Sequence, residues 1–217
     1  MKNRQVRFLI TLLAALVILL GLVPSSLAEG GQVSGMVWLD KEVDGLFQNE
    51  RGLANTIVKL YKLLDDGTEE ELMSAKTGKD GMYAFSVPEN GQYVLSYSLP
   101  NDYRFTMHGK DSGALPARGT ESRSLPFTLT DGQVLTLNVG AVSGNSYLSV
   151  VAFEDLNLNG GRMNSEPLVR KVKVELYYEY EGTSYFIASA ETNKDGETSI
   201  SRLSPGTYYV KAILPEN

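Results

Sequence analysis

Oxygen-bearing side chains fall at every second position of one short run, Asp155-Leu156-Asn157-Leu158-Asn159. Gly160 and Gly161 follow at once, and Glu166 closes the segment. Counted from Asp155, the side-chain oxygens sit at positions 1, 3 and 5, glycine at 6 and glutamate at 12. This is the ligand spacing of an EF-hand-type calcium loop. A tightly wound loop turns alternate side chains inward, and calcium takes six to eight hard oxygens. Position 7 supplies a backbone carbonyl, here that of Gly161, and Glu166 can close the shell with both oxygens. Met163, at position 9, offers no oxygen, so water must fill in there. An ordinary polar Asn-Gly turn is the alternative.

A shorter version of the same run occurs earlier in the chain: Asp40, Glu42 and Asp44, then Gly45, the Leu46 carbonyl, Gln48 and Glu50. The final glutamate arrives at position 11, one residue early. Three carboxylates at positions 1, 3 and 5 attract a cation and repel one another without one. A solvated acidic loop is the alternative here.

The segments that must hold these loops are strand-like, without the helices that flank an EF-hand. Val172, Val174, Leu176 and Tyr178 alternate with Lys171, Lys173, Glu175 and Tyr177, the period of a half-buried strand. Leu135, Leu137 and Val139 alternate in the same way, as do Tyr83, Phe85 and Val87. Turn signals separate the runs, among them Asp66-Gly67, Asp80-Gly81, Asn90-Gly91, Asp131-Gly132, Asp195-Gly196 and Pro205-Gly206. No amphipathic helix is evident after the N-terminal segment. Short strands at this spacing predict antiparallel sandwiches. Residues 127–129 and 134–139 read as the last hairpin of the first of them.

The two loops belong to a repeat of about 115 residues, long enough for a whole domain. Val37-Trp38-Leu39-Asp40 answers Ala152-Phe153-Glu154-Asp155. Thr77-Gly78-Lys79-Asp80-Gly81 answers Thr192-Asn193-Lys194-Asp195-Gly196. Gly91-Gln92-Tyr93 answers Gly206-Thr207-Tyr208, and Leu99-Pro100 answers Leu214-Pro215. Three segments are predicted: 1–28, a signal peptide; 29–143, a first sandwich; and 147–217, a second, C-terminally incomplete sandwich. The second copy has no counterpart of residues 102–142. Continuation of the native chain is expected, because a sheet edge would otherwise stand open.

The first 28 residues combine basic Lys2, Arg4 and Arg7, an apolar run over 8–23, and small residues at Ser26 and Ala28. That pattern predicts a secretory signal peptide, and the run is shorter than the roughly 20 residues of a spanning helix. No membrane span is expected after its removal. The whole chain carries a net charge of −6, and loss of those three basic residues leaves −9. Such acidity argues against nucleic acid and against anionic membrane surfaces. There is no cysteine. An exported chain without disulfides must be held by its core, by metals or by other crosslinks, and domains of roughly 115 residues can bury a sufficient core.

In order, Val37-Trp38-Leu39-Asp40, the acidic loop, Glu50-Arg51-Gly52-Leu53, Val58-Lys59-Leu60-Tyr61, Thr77-Gly78-Lys79-Asp80-Gly81-Met82-Tyr83 and Gly91-Gln92-Tyr93 resemble the SdrD B-like repeat. That family is related to collagen-adhesin B (Cna-B) domains. The resemblance covers nearly all of residues 32–140 and 147–217. Each motif is weak alone; their order and spacing, seen twice, make the match specific. It implies an all-β chain of two tandem immunoglobulin-like, prealbumin-type sandwiches from a bacterial surface adhesin. It further implies a secreted, extracellular or cell-wall stalk, stiffened by calcium. Any host or cell-surface protein or glycan would be met by regions outside this chain. Many Cna-B relatives carry a lysine–asparagine isopeptide bond helped by a buried acid. Tyr97 and Ala212 occupy the place of that acid here, and the first strands hold no lysine, so no such crosslink is expected.

Two other classes compete. A Ser-His-Asp enzyme would use the single histidine, His108, which lies in the polar stretch Met107-His108-Gly109-Lys110 and reads as a surface-loop residue. No Gly-x-Ser-x-Gly elbow is present. A glycosidase would use paired carboxylates, but the clustered acids read better as calcium ligands or solvated loops such as Asp65-Asp66. A carbohydrate- or protein-binding module would use exposed aromatics. Outward members of Tyr177, Tyr178 and Tyr180 could form such a stripe, whereas Trp38, the only tryptophan, reads as core.

Overall fold

In the computed structural model, residues 30–144 and 146–216 are described. The segment read as a signal peptide lies outside them. The described residues form fifteen strands and no α-helix, and none is long and apolar enough as a helix to cross a membrane.

Ten strands make the first sandwich. They are β1 (Gln32–Leu39), β2 (Ile57–Leu63), β3 (Glu69–Lys76), β4 (Met82–Ser86), β5 (Gly91–Ser98), β6 (Tyr103–Phe105), β7 (Glu121–Arg123), β8 (Phe127–Leu129), β9 (Val134–Thr136) and β10 (Val139–Ser143). One sheet runs β4-β1-β10-β6 with β9 also on β1, and the other runs β3-β2-β5-β7 with β8 also on β5. The inward positions of the two-residue period meet between the sheets. Val33 and Val37 of β1, Val58 and Leu60 of β2, Tyr83 and Phe85 of β4, and Tyr93, Leu95 and Tyr97 of β5 share one core.

The expected last hairpin is not one. β8 pairs with β5 in one sheet, while β9 pairs with β1 in the other. The 130–133 turn therefore arches from sheet to sheet. β9 and β10 both run parallel to β1, Gln32 opposite Val134 and Val37 opposite Val139. Alternation of Leu135, Leu137 and Val139 fixes which face is buried but not which strand is the neighbour.

Five further strands follow: β11 (Ser146–Val151), β12 (Lys173–Tyr180), β13 (Thr183–Glu191), β14 (Glu197–Leu203) and β15 (Thr207–Ile213). They make a two-stranded sheet, β11-β14, and a three-stranded one, β13-β12-β15. Leu176, Ile200 and Leu203 are the fully buried centre of their smaller core.

Corresponding backbone locks recur in both strand sets. The Thr77 hydroxyl donates to the Leu53 carbonyl (2.7 Å) and accepts from the Thr56 amide (3.0 Å). Thr192 does the same with the Val169 carbonyl (2.8 Å) and the Val172 amide (3.0 Å). The Tyr93 hydroxyl donates to the Glu89 carbonyl and that of Tyr208 to the Ser204 carbonyl, both at 2.7 Å.

Candidate metal centre

Both acidic runs leave the end of a first strand. In the first, the residue before Asp40 is tied down on both sides. The Leu39 amide donates to Arg51 (3.0 Å), and an antiparallel bridge joins Trp38 to Gly52. In the second, the Glu154 amide donates to Pro167 (2.9 Å), and Phe153 bridges Leu168. The strand side therefore matches at a spacing of 115, while the return side matches at 116. The extra residue of the second loop lies inside it, and Glu50 and Glu166 hold equivalent places.

The loops wind alike. Val43 (φ 60°) and Gly45 (φ 75°) in the first match Leu158 (φ 58°) and Gly160 (φ 75°) in the second. The Asp40 carboxylate accepts from the amides of Val43 (2.6 Å), Asp44 (3.3 Å) and Gly45 (2.8 Å). That of Asp155 accepts from Asn159 (3.2 Å) and Gly160 (2.7 Å). At position 5, Asp44 caps the Leu46 amide (2.9 Å) and Asn159 caps the Gly161 amide (2.7 Å). Position 4 needs a left-handed backbone, which costs a β-branched valine about 1–2 kcal/mol.

Among the described residues, Asp40, Glu42 and Glu50 each place a carboxylate oxygen within 4.8 Å of the other two. Asp40 is buried, Glu50 half-buried and Glu42 exposed. Glu50 is steered inward by accepting from the Lys41 amide (2.8 Å). Asp44 is not among the three; its carboxylate accepts from the Gln48 side-chain amide (2.8 Å) and the Leu46 amide. In the second loop the Glu166 carboxylate accepts from the Met163 amide (2.8 Å) and lies 3.3 Å from the Asn157 side-chain amide. Hard carboxylate oxygens converging from positions 1, 3 and the terminal glutamate suit a hard divalent cation. Asp40, Glu42 and Glu50 form a group that could hold such a cation.

Trp38 is buried, but not in the sandwich interior. Val37 and Leu39 face that interior, so Trp38 lies on the outer face of the sheet. There it meets Phe47 of the acidic loop edge-on, with ring centroids 5.6 Å apart. The tryptophan is a floor for the loop.

Residues far from either loop motif complete the setting. The Thr106 hydroxyl donates to Asp40, the Lys110 ammonium to the Asp44 carbonyl (2.6 Å), and the Phe47 amide to the Asp111 carboxylate (2.8 Å). Local spacing carries no signal for these contacts. His108 was expected at the surface and is buried instead. Its Nδ1 lies 2.8 Å from the Ala114 carbonyl, and its ring meets Tyr180 and Tyr185 edge-on at 5.0 and 5.7 Å. Aromatic side chains of the second strand set cover a stretch that looks polar in isolation.

Tyr97 is fully buried in the core, its hydroxyl 3.2 Å from that of Tyr83. Burial raises the pKa of both phenols well above the ordinary tyrosine range. On the outer face of β12, Glu175 is held below the usual carboxylate range. The Lys173 ammonium and the Tyr177 hydroxyl donate to it.

The first ten strands define an all-β sandwich with an acidic, cation-type loop at the end of its first strand. The SdrD B-like domain profile matches residues 31–140, half of the chain, and the chain belongs to that family. Serine-aspartate repeat-containing protein F of Staphylococcus epidermidis is 26% identical over 204 residues, covering 88% of this chain and 12% of that protein. Serine-aspartate repeat-containing protein C of Staphylococcus aureus is 28% identical over 192 residues, covering 86% of this chain and 19% of that protein. The chain thus spans less than a fifth of the length of these relatives. Among solved structures, the shaft pilin SpaA of Lactobacillus rhamnosus GG aligns over 87% of this chain and 89% of its own. Its TM-score is 0.37 at 8% identity.

Proposed function

We propose that the chain is a structural stalk or spacer of an extracellular or cell-wall bacterial surface protein, built of two tandem SdrD B-like sandwiches and stiffened by calcium. The observation that carries this reading is the convergence of Asp40, Glu42 and Glu50 at the end of β1. Calcium would neutralise the mutual repulsion of the three carboxylates and lock a loop that already has the winding for it. Asp155, Asn157, Asn159, the Gly161 carbonyl and Glu166 form the second proposed site. The recurrence of the Thr77 and Tyr93 locks at Thr192 and Tyr208 supports the tandem reading. A non-enzymatic role is supported by His108, whose ring is enclosed by tyrosines and a carbonyl rather than by a nucleophile.

An ion that binds only the folded chain stabilises it by RT ln(1 + [L]/Kd), about 2.7 kcal/mol at a hundredfold excess over Kd. Thermal unfolding in millimolar calcium against chelator tests this. A higher midpoint with calcium supports the stalk, and coincident transitions argue against it.

A carbohydrate- or protein-binding role is favoured by one specific observation. Tyr177 and Tyr209 stack at 5.0 Å with Phe186 edge-on, on the outer face of the β13-β12-β15 sheet. Phe186 is 57% and Tyr209 43% exposed. Glycan or protein binding that disappears in Tyr209→Ala would support it.

A further inference from the structure

Residues 106–112 lie between the first acidic loop and the second strand set, and they touch both. Toward the loop, Thr106 donates to Asp40, Lys110 donates to the Asp44 carbonyl, and Asp111 holds the Phe47 amide while its own amide donates to Gly45 (3.2 Å). Toward the second strand set, the His108 amide donates to the Tyr178 hydroxyl (3.2 Å), and the His108 ring is seated between Tyr180 and Tyr185. Gly109 lies against Tyr180 so closely that a Cβ there would fall 2.0 Å from its hydroxyl oxygen.

The two sets of contacts come from neighbouring residues of one closed turn. The Gly109 amide donates to the Ser112 carbonyl (3.1 Å) and the Ser112 amide to the Gly109 carbonyl (2.9 Å). Gly109 (φ 84°) and Lys110 (φ 51°) are both left-handed. So tight a turn cannot shift on its loop side and stay fixed on its tyrosine side. Among the described residues no strand ladder joins β1–β10 to β11–β15. Hydrogen bonds from residues 117–119 also cross between the two sets. There the Gly119 amide donates to Arg202 (2.8 Å), the Arg118 guanidinium to Ser201 (2.9 Å), and Ser204 to Ala117 (3.2 Å).

We propose that residues 106–112 are a relay: order in the 40–50 loop sets how firmly the second strand set is held. Its control by a cation at Asp40, Glu42 and Glu50 rests on the calcium reading above. Without an ion, repulsion among the three carboxylates loosens the loop. Lys110 and Asp111 grip loop backbone, the part that moves, and His108 and Gly109 carry the movement to Tyr178, Tyr180 and Tyr185. Coupling between separate sites requires such an element, whose state both sites bias.

The test is hydrogen exchange at the amides of residues 178–186 in the intact protein, with calcium and with chelator, beside calorimetric titration of calcium. Asp111→Ala removes one loop-side contact of the relay, the carboxylate's hold on the Phe47 amide, at an exposed residue outside the carboxylate trio. It is expected to speed exchange at residues 178–186 by about tenfold, the scale of one lost hydrogen bond to a charged group. Calcium is expected to slow exchange there in the natural sequence and to do so much less in Asp111→Ala. Unchanged exchange in Asp111→Ala would overturn the relay. Calcium that binds yet leaves 178–186 unprotected would overturn its control by the cation. Loosening in Asp111→Ala without any calcium binding would sustain the relay while removing the calcium reading.

Discussion

The Thr106 hydroxyl donates to the carboxylate of Asp40, joining residues 66 positions apart. Asp40 is 3% exposed and Thr106 2%, so the carboxylate has little water to replace a missing donor. Thr106→Val preserves the shape of the side chain and removes the hydroxyl. It should cost about 1–3 kcal/mol, the penalty for a buried polar group short of a partner. Denaturant unfolding in chelator measures it.

Position 4 of the first loop offers a gain. Val43 has φ 60°, a conformation that disfavours a β-branched residue. Val43→Asn should stabilise the chelated protein by about 0.5–1 kcal/mol, because asparagine tolerates the left-handed region. A lower unfolding midpoint would show that the exposed valine is held by packing instead.

Gly81 and Gly67 separate backbone conformation from space. Both are left-handed, at φ 73° and 81°. A Cβ at Gly81 would lie 2.1 Å from the Val37 carbonyl oxygen, whereas one at Gly67 meets nothing within 4 Å. Gly67→Ala should cost about 1 kcal/mol, from conformation alone. Gly81→Ala adds a backbone clash beside the strand that leads into the acidic loop, and should cost more than about 3 kcal/mol. Parallel denaturant curves compare the two.

The buried Tyr83–Tyr97 pair sets a pH dependence. Burial raises both phenol pKa values in the folded state, so the fold favours the neutral form. That stabilisation is fully present below the unfolded tyrosine value of about 10 and is lost as pH rises above it. Unfolding midpoints should fall steeply above about pH 10. Tyr97→Phe should flatten the fall, because the residue that remains at 97 cannot ionise.

Much of this was legible in the residues. Val172, Val174, Leu176 and Tyr178 alternate into the core as their spacing requires, and the early arrival of Glu50 matches a loop one residue shorter than the second. What was not legible is non-local. The partner of β9 is chosen by the other sheet, so Leu135 and Leu137 could not reveal a parallel ladder with β1. His108 looked exposed because the tyrosines that cover it lie some 70 positions away. Trp38 reads as core, yet the alternation of its strand puts it on the outer face, where Phe47 of the acidic loop packs against it. Glu42 converges with Asp40 and Glu50 while Asp44 turns to Gln48, a choice between two acids at equivalent spacing that only side-chain geometry makes.

Calorimetric titration of calcium into the chelator-stripped protein, beside a Glu42→Gln, Glu50→Gln variant and a Glu166→Gln variant, tests the central claim most directly. The account predicts heat of binding at or below millimolar calcium, with stoichiometry reduced in each variant by the site its substitution removes. Absence of heat at millimolar calcium, or binding that both variants leave unchanged, would contradict it.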